Sequence, residues 1–446
     1  EDGIIDLMDF ERVTGRLNLD HRINDRFKFG ISMLLSNSVN NWGSSAVMSE
    51  SLSNIPIGKP YADDGTLNFF AFNDGIRTNP LSELVPGAYI DERISTRFFA
   101  PVYLQIKLMD GLQFTSTFGP DMRFRRVGEF RDRFTNDNRG GPADAEVENK
   151  KEFGFTLENL VTYNKEVGPG NLKVTLLQSI QEFSSEFSKA EVQNLPYSSQ
   201  LWYNIGTAEV KGNLSSGLSE WQLQSYMGRV NYNIDGKYLF QASLRADGSS
   251  RLAEGNKWAY FPGVSLGWRL LEDLAPDSAT FDEFKLRASY GEVGNTAIDP
   301  YQTQGALART VYAWNETPAF GYRLNEIPNP NLGWEISKTI DVGFDYSLLE
   351  GRISGAFDYY VTNTTDLLLA RNLPYTSGYT SVFQNVGATK TSGVEFNVNA
   401  TVVETDKFAW DLNLNVSGYS EKIVELALKD ESGNPLDDTG NNSIHL

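Results

Sequence analysis

The chain has 446 residues and a formal net charge of −19 at pH 7. This acidity argues against nucleic acid as a partner, because phosphate binding requires clustered Lys and Arg. The chain has no cysteine, which excludes a disulfide framework and a thiolate metal site. Aromatic residues make up 12% of the sequence, and no apolar run is long enough for a membrane-spanning helix. These features favour an all-β protein, either one large barrel or several soluble domains.

Fourteen strands are predicted in chain order from runs in which apolar and polar residues alternate. The runs are Val13–Ile23, Phe27–Met33, Val102–Leu108, Leu112–Phe118, Phe153–Leu157, Leu172–Leu176, Gly228–Ile234, Tyr238–Asp247, Trp258–Leu270, Phe284–Tyr290, Ile340–Leu348, Ile353–Val361, Val394–Val402 and Phe408–Val416. The most regular run begins at Tyr238, where Phe240, Ala242 and Leu244 share one side of the strand. Each strand should therefore have one face toward an apolar medium and one toward water.

The connections between these strands alternate in length. Short turns are predicted near Asn24, Asp110, Gly168, Asp235, Glu350 and Asp406, and an intermediate linker at Glu272–Asp282. Long polar loops are predicted at roughly 37–96, 125–149, 188–219 and 292–331. In an up-and-down antiparallel sheet, this order places the short turns at one end and the long loops at the other. Transmembrane barrels of bacterial outer membranes have that asymmetry.

Strand length and aromatic placement also favour a membrane barrel over a soluble β-sandwich. Strands of about 12–14 residues span roughly 40–46 Å, enough to cross a membrane at a tilt of ~40°. Aromatic residues near strand ends, as in the girdles of a barrel, are Tyr238, Trp258, Trp268, Tyr290, Trp334, Tyr346, Tyr359 and Trp410. We therefore expect a transmembrane up-and-down antiparallel β-barrel. Its lumen would be lined by polar-face residues, including Arg245, Asp247, Arg269, Lys285 and Arg287.

Several ordered segments resemble the SusC/RagA type of TonB-dependent outer-membrane transporter. The matching segments are Gly228–Tyr232, Ala242–Arg251, Phe261–Arg269, Leu286–Gly291 with Gly294–Asn295, Asn329–Glu335, Asp358–Tyr360 with Thr364–Leu368, Asn385–Gly387 and Gly393–Phe396. The similarity is dense from about Gly228 to Asn399 and looser before that. So many matches in order make a more specific signal than any single short motif.

The resemblance implies a barrel of about 22 strands with a plugged lumen. It also implies import of oligosaccharides or peptides, energised through TonB, with a SusD-like surface lipoprotein that caps the barrel. We expect residues 1–446 to form part of the barrel domain in the outer membrane. The plug, the signal peptide, the TonB-contacting segment and the terminal strands would lie outside this chain. No cofactor is implied.

Recognition of a ligand would depend on aromatic rings in the long loops, since such rings stack on sugar faces and hold peptide side chains. The candidates are Trp42, Trp202, Tyr203, Trp314, Tyr322, Tyr375 and Tyr379. The alternative for these residues is that they pack the loops together or against a partner protein. For the whole chain, the competing functions are a passive porin or structural barrel, and a soluble glycan-binding or glycan-cleaving β protein.

The sequence offers little for an enzyme or a metal site. The two histidines, His21 and His445, are predicted to be surface residues, which leaves no base for a catalytic triad. Asp341 and Asp345 should face water in the lumen rather than act as paired carboxylates. Asp63-Asp64 and Asp437-Asp438 lack the ligand pattern of a calcium loop and are read as solvated loop charge.

Overall fold

Antiparallel β-strands dominate the computed structural model, which describes residues 1–72, 75–275, 278 and 280–425. Asp437, Asp438 and His445 lie outside this described part. Helices are short: α1 spans Ala46–Ser53, α2 spans Leu271–Leu274, and 3₁₀ turns occur at Pro80–Ser82, Ser198–Gln200, Ile205–Thr207 and Tyr375–Ser377. Within those residues, no helix has the length and hydrophobicity needed to cross a membrane.

Nineteen strands are found among the described residues. The first ten are β1 (Asp9–Arg22), β2 (Phe27–Trp42), β3 (Tyr89–Phe99), β4 (Val102–Met109), β5 (Leu112–Arg131), β6 (Asp144–Val167), β7 (Gly170–Gln193), β8 (Val210–Ile234), β9 (Tyr238–Ser249) and β10 (Trp258–Arg269). The others are β11 (Phe281–Asn295), β12 (Leu307–Trp314), β13 (Thr317–Leu324), β14 (Glu335–Leu348), β15 (Ile353–Thr365), β16 (Leu368–Asn372), β17 (Ser381–Asn385), β18 (Ala388–Thr405) and β19 (Phe408–Glu425).

One large sheet contains fifteen of these strands in fourteen positions, in the order β1-β2-β3-β5-β6-β7-β8-β9-β10-β11-β14-β15-β18-β19. β3 and β4 share one position, since both pair with β2 and β5. Pro101 interrupts this position because its nitrogen has no hydrogen to donate, while its carbonyl still accepts a bond from Ser32 N at 2.9 Å. The predicted all-β, up-and-down antiparallel arrangement is confirmed.

Short turns lie where the sequence predicts them. Between β8 and β9, Asp235 and Gly236 have φ values of +52° and +72°. Positive φ at both central residues is the backbone of a type I′ hairpin, which Asp-Gly favours because Gly adopts this conformation without steric cost. Lys237 N closes the turn with a bond of 2.9 Å to the Ile234 carbonyl oxygen, and the strands then pair with Tyr238 opposite Ile234.

The predicted long loops include many residues that belong to strands in the structure. β5, β6, β7 and β8 have 20, 24, 24 and 25 residues, so they continue far into segments predicted as loop. The segment 292–331 also contains a separate hairpin, β12–β13, and another hairpin, β16–β17, follows β15. The alternation of apolar and polar residues stops where a strand leaves the lipid, whereas the backbone hydrogen-bond ladder continues. Hydrophobicity therefore places the ends of these strands too early and makes the predicted loops too long.

The sheet has one apolar face that is open to its surroundings, here called the outer face. On it, Leu244 is 53% exposed and Leu266 is 50% exposed, and Val230, Val264, Ile340, Val342, Val394 and Leu414 are also exposed. Pair registers put these residues on the same side of consecutive strands. Such a continuous apolar surface is unfavourable in water but suits contact with hydrocarbon.

Two aromatic pairs bound this apolar band on the outer face. Tyr226 stacks with Trp258 at 6.2 Å between ring centroids, and Tyr238 stacks with Trp268 at 6.4 Å. Trp268 follows Trp258 by ten residues along β10, which corresponds to roughly 33 Å of strand. At a strand tilt of ~40°, this distance is about 25 Å along the membrane normal. This height matches the lipid-facing band of outer-membrane barrels.

Candidate functional site

The face opposite the apolar band, here called the inner face, carries mostly polar side chains. The five predicted lumen residues, Arg245, Asp247, Arg269, Lys285 and Arg287, all lie on it. Their common face follows from the registers, in which Arg269 is opposite Lys285 and Gly267 is opposite Arg287. Any solute that passes along the inside of this sheet would meet these side chains.

Arg245 and Asp247 form the first ion-paired network of the inner face. The Arg245 Nε donates to both carboxylate oxygens of Asp247 at 2.8 Å, and its Nη2 donates to Ser225 Oγ at 2.9 Å. Ser225 and Asp247 are both buried. Three hydrogen bonds to two buried partners therefore fix the position of the Arg245 guanidinium on the wall.

A second network crosses β11, β14 and β15. Lys285 Nζ lies 3.1 Å from Asp345, and Arg287 bonds both Asp345 and Asp358 at 3.0 and 3.1 Å. Asp345 is therefore held by two cations, while its side chain is still one third exposed on the inner face. Asp341 is on the same face, in register with Tyr360. The resulting wall combines fixed charges with the hydrogen-bonded hydroxyl pairs Ser337–Thr364 and Thr339–Thr362.

A third set of ion pairs covers the inner face of β3, β5, β6 and β7 and extends toward the long loops. Its pairs are Arg93–Asp91, Arg97–Asp121, Arg123–Glu152, Arg131–Glu129, Arg131–Asp144, Lys189–Glu146 and Lys189–Glu191. Hydrogen bonds to Glu191 and Glu146 raise the pKa of Lys189. Sequence reasoning missed this set because the segments read as charged loops. Charges that recur at every second residue were the signal that could have revealed it.

Trp42 lies on the inner face, at the end of the sheet that carries the long loops. It is opposite Asp91 in the β2–β3 register, and the Arg93 guanidinium lies 4.0 Å from its ring centroid. Arg93 is in turn fixed by Asp91, at 2.9 Å from Nε. Trp42 thus has a ring edge available at the loop end of the wall, consistent with its prediction as a ligand contact.

Trp202 and Tyr203 are on the other side of the sheet. Trp202 is only 5% exposed and packs with Phe130 on the outer face, where a Cβ added to Gly128 would be 2.0 Å from the indole. This is the loop-packing alternative, so Trp202 has no surface to offer a ligand. Tyr203 is exposed and receives a hydrogen bond from Arg126 at 3.3 Å, also on the outer side.

Trp314 and Tyr322 are exposed on the β12–β13 hairpin, by 69% and 77%. The register of the hairpin pairs Trp314 with Thr317 and Tyr322 with Arg309, which puts the two rings on opposite faces. Trp314 is close to Tyr312, with ring centroids 6.2 Å apart. The two predicted contacts therefore cannot hold the same ligand group on one face of this hairpin.

The remaining two predicted contacts lie between β16 and β17. Tyr375 begins a 3₁₀ turn that ends at Ser377. Tyr379 is half-buried, and its backbone exchanges hydrogen bonds with the Ser377 hydroxyl at 3.1 and 3.2 Å.

The segment Ala242–Arg251 anchors the loop end of the sheet. Leu252, next to it, is 1% exposed and packs with Ile298 and Leu332 in a small core between loops. Arg251 extends to the inner face of β8, with its guanidinium 4.4 Å from the Trp221 ring centroid. These contacts explain why the segment combines small and polar residues with one apolar anchor.

No group of three or more His, Cys, Asp or Glu residues that could hold a metal ion occurs in the part of the chain that the structure describes. In the loop after β2, Asp64 accepts bonds from the Thr66 hydroxyl at 2.6 Å and from its amide at 3.0 Å. These bonds keep the pKa of Asp64 below its ordinary value. Asp63 lies 3.6 Å from Lys59, in an exposed ion pair.

The apolar outer face, the aromatic borders and the polar inner face together define the wall of an outer-membrane β-barrel. Residues 5–444 match the family described as TonB dependent receptor-like, beta-barrel. The chain belongs to this family, and the soluble β-protein alternative is thereby overturned. The members are receptors and transporters rather than enzymes.

Individual relatives support the same family membership. The chain is 32% identical to TonB-dependent receptor P3 of Formosa agariphila, over 96% of the chain and 43% of that protein. It is 33% identical to TonB-dependent receptor SusC of Bacteroides thetaiotaomicron, over 47% of the chain and 22% of that protein. The fold is similar to a chain of the RagAB peptide transporter, with a TM-score of 0.83 and 21% identity, over 94% of this chain and 47% of that one. The chain thus spans less than half the length of these relatives.

Proposed function

We propose that this chain forms part of a transporter that imports oligosaccharides or peptides across the outer membrane with energy supplied through TonB. The observation that carries the proposal is the two-faced sheet, with an apolar band about 25 Å high outside and ion pairs inside. Fixed, paired charges provide many hydrogen-bonding groups along the path of a polar solute. Ligand enters from the end with the long loops and moves along the inner face.

Three partners belong to this proposal. Outer-membrane lipid contacts the apolar band. TonB supplies the energy, a role supported by similarity to the TonB-dependent receptors P3 and SusC. A SusD-like surface lipoprotein docks at the loop end, and similarity to SusC supports this. The exposed rings of the β12–β13 hairpin remain our candidates for contacts with ligand or with that lipoprotein. Tyr375 and Tyr379, in the loop between β16 and β17, remain candidates from the sequence.

A passive porin is the competing function for the same wall. The two can be separated by measuring uptake of labelled oligosaccharides and labelled peptides in cells that carry the full-length protein, with and without TonB. Active import predicts uptake that is lost without TonB and after collapse of the proton gradient. Uptake that persists under both conditions would identify a passive channel. Uptake of neither class under any condition would overturn the proposed function.

A further inference from the structure

One row of side chains on the inner face contains a gap. Pair registers align Phe99, Asp121, Gly154, Phe183 and Trp221 across β3, β5, β6, β7 and β8. We call this alignment the Gly154 row. Glycine leaves its centre without a side chain, and the residues around it enclose a concavity of about 280 Å³. At the β8 end of the row, Trp221 lies five residues beyond the border aromatic Tyr226, toward the long loops.

Aromatic rings form both sides of this concavity. Phe183 and Trp221 stack at 5.9 Å with an interplanar angle of 26°. The Arg251 guanidinium covers the Trp221 ring from a distance of 4.4 Å, which holds the indole in place. On the other side of the gap is Phe99, with the Arg97 guanidinium 5.6 Å from its ring centroid. The gap therefore has rigid apolar sides.

Polar groups surround the floor of the concavity, and the charged ones are already paired. Arg97 holds Asp121 through two bonds, one of 2.9 Å from Nε. Glu152 is shared between Lys150 at 2.7 Å and Arg123 at 3.4 Å. Each carboxylate and guanidinium still has acceptor or donor positions left over. Thr156 and Gln181 complete the lining with neutral groups.

We propose that the Gly154 row is a subsite for one neutral sugar ring of an imported oligosaccharide. The inference rests on the proposed import function and makes it more specific. A sugar ring has apolar faces that pack on Phe99 and Phe183, and hydroxyl groups that add hydrogen bonds to a paired Arg97–Asp121 or Arg123–Glu152 without separating them. The concavity has the size of one ring rather than of a whole oligosaccharide.

The same features disfavour a charged ligand group. A carboxylate or ammonium group would have to displace a partner from an existing ion pair, which leaves the displaced charge without compensation. An apolar peptide side chain would fit between the rings but would leave the polar floor without partners. The neutral sugar ring uses both the apolar sides and the polar floor.

Filling the gap tests the subsite directly. In Gly154→Val, the new Cβ would be 3.3 Å from the Glu182 carbonyl oxygen and 3.4 Å from Phe183, so the strand needs to adjust only slightly. Gly291→Val is the matched control, because Gly291 is on the inner face of β11 with nothing within 4 Å of an added Cβ. Phe99→Leu is a second variant, which shortens one side of the gap without adding bulk.

Binding would be measured on the purified full-length transporter with hexasaccharides of glucose, xylose and mannose, and with neutral hexapeptides. We expect Gly154→Val and Phe99→Leu to weaken binding of at least one hexasaccharide about tenfold or more, and Gly291→Val to leave it unchanged. Equal affinity in all variants, a loss confined to hexapeptides, or no hexasaccharide bound by the wild-type protein would overturn the subsite. TonB-dependent uptake measured in parallel would show whether the proposed import function survives.

Discussion

Arg287 on β11 donates a hydrogen bond to Asp358 on β15 at 3.1 Å, although β14 lies between these strands. The residue in register between them is Gly343. A Cβ at Gly343 would be 2.1 Å from the Asp358 carboxylate oxygen. The missing side chain is therefore what allows the guanidinium to reach across a whole strand and tie three strands together on the inner face.

Gly343→Ala should break this connection. The added methyl group must displace the Asp358 carboxylate, which leaves Arg287 with Asp345 alone. Because its Cβ would also be 2.5 Å from the Phe357 carbonyl oxygen, the backbone of β15 has to shift as well. We expect a loss of about 1–2 kcal/mol in the free energy of unfolding, because the groups are partly exposed and water replaces part of the interaction. Urea unfolding of the full-length protein in detergent micelles measures it. Gly291→Ala is the control, and equal stability of the two variants would contradict the role of Gly343.

The strand order was predictable because lipid imposes a pattern on the sequence. Phe240, Ala242 and Leu244 alternate with polar residues since one side of β9 is apolar and the other polar. Beyond the membrane band, this constraint disappears. In β5, residues such as Arg123 and Arg126 place charge on both faces, so the strand could not be distinguished from a loop by hydrophobicity.

The sequence predicts which residues lie on the inner face, but it does not predict which of them form ion pairs with one another. The alternation of apolar and polar residues along β11 is enough to assign Lys285 and Arg287 to its polar side. The pairing of Arg287 with Asp358, 71 residues away, depends on the registers of the strand pairs β11–β14 and β14–β15 and on the glycine between the two side chains. The Gly154 row was missed for the same reason, since its five residues come from five strands.

Trp258 should lie at the lipid interface. Its indole covers Gly248 on the outer face, where an added Cβ would be 2.6 Å from the ring. Lipids brominated near the headgroup should therefore quench its fluorescence. Replacing Trp258 by Phe should remove more of the quenched signal of the reconstituted protein than replacing Trp42 by Phe, because Trp42 is on the inner face. Equal losses would place the membrane band elsewhere.

Trp202 should contribute to local stability, whereas Trp42 should contribute to ligand binding. Trp202→Ala removes a buried ring from the cluster around Phe130, so we expect about 3–5 kcal/mol less local stability. Limited proteolysis should then cleave the segment 194–209 faster, while ligand affinity stays unchanged. Trp42→Ala should leave that cleavage rate as it is and weaken ligand binding. A loss of ligand affinity in Trp202→Ala with normal proteolysis would reverse this assignment.

Glu146 should make the outer end of β6 sensitive to pH. It lies well beyond the membrane band and pairs with Lys189 at 2.9 Å. Burial nevertheless raises the pKa of Glu146 above its ordinary value. A carboxyl group with a raised pKa in the folded state binds more protons there than in the unfolded state, so its contribution to stability falls as pH rises from the ordinary pKa through the raised one.

We therefore expect the β6–β7 end to be better protected from hydrogen exchange at about pH 5 than at about pH 7, after correction for the intrinsic exchange rate. Glu146→Gln should reduce this difference, because the amide does not ionise. Glu186→Gln, on the outer side of β7, is the control and should retain the difference. The same pH response in Glu146→Gln as in the wild-type protein would show that another group at this end carries the effect, since the only change is the loss of one ionisable carboxyl.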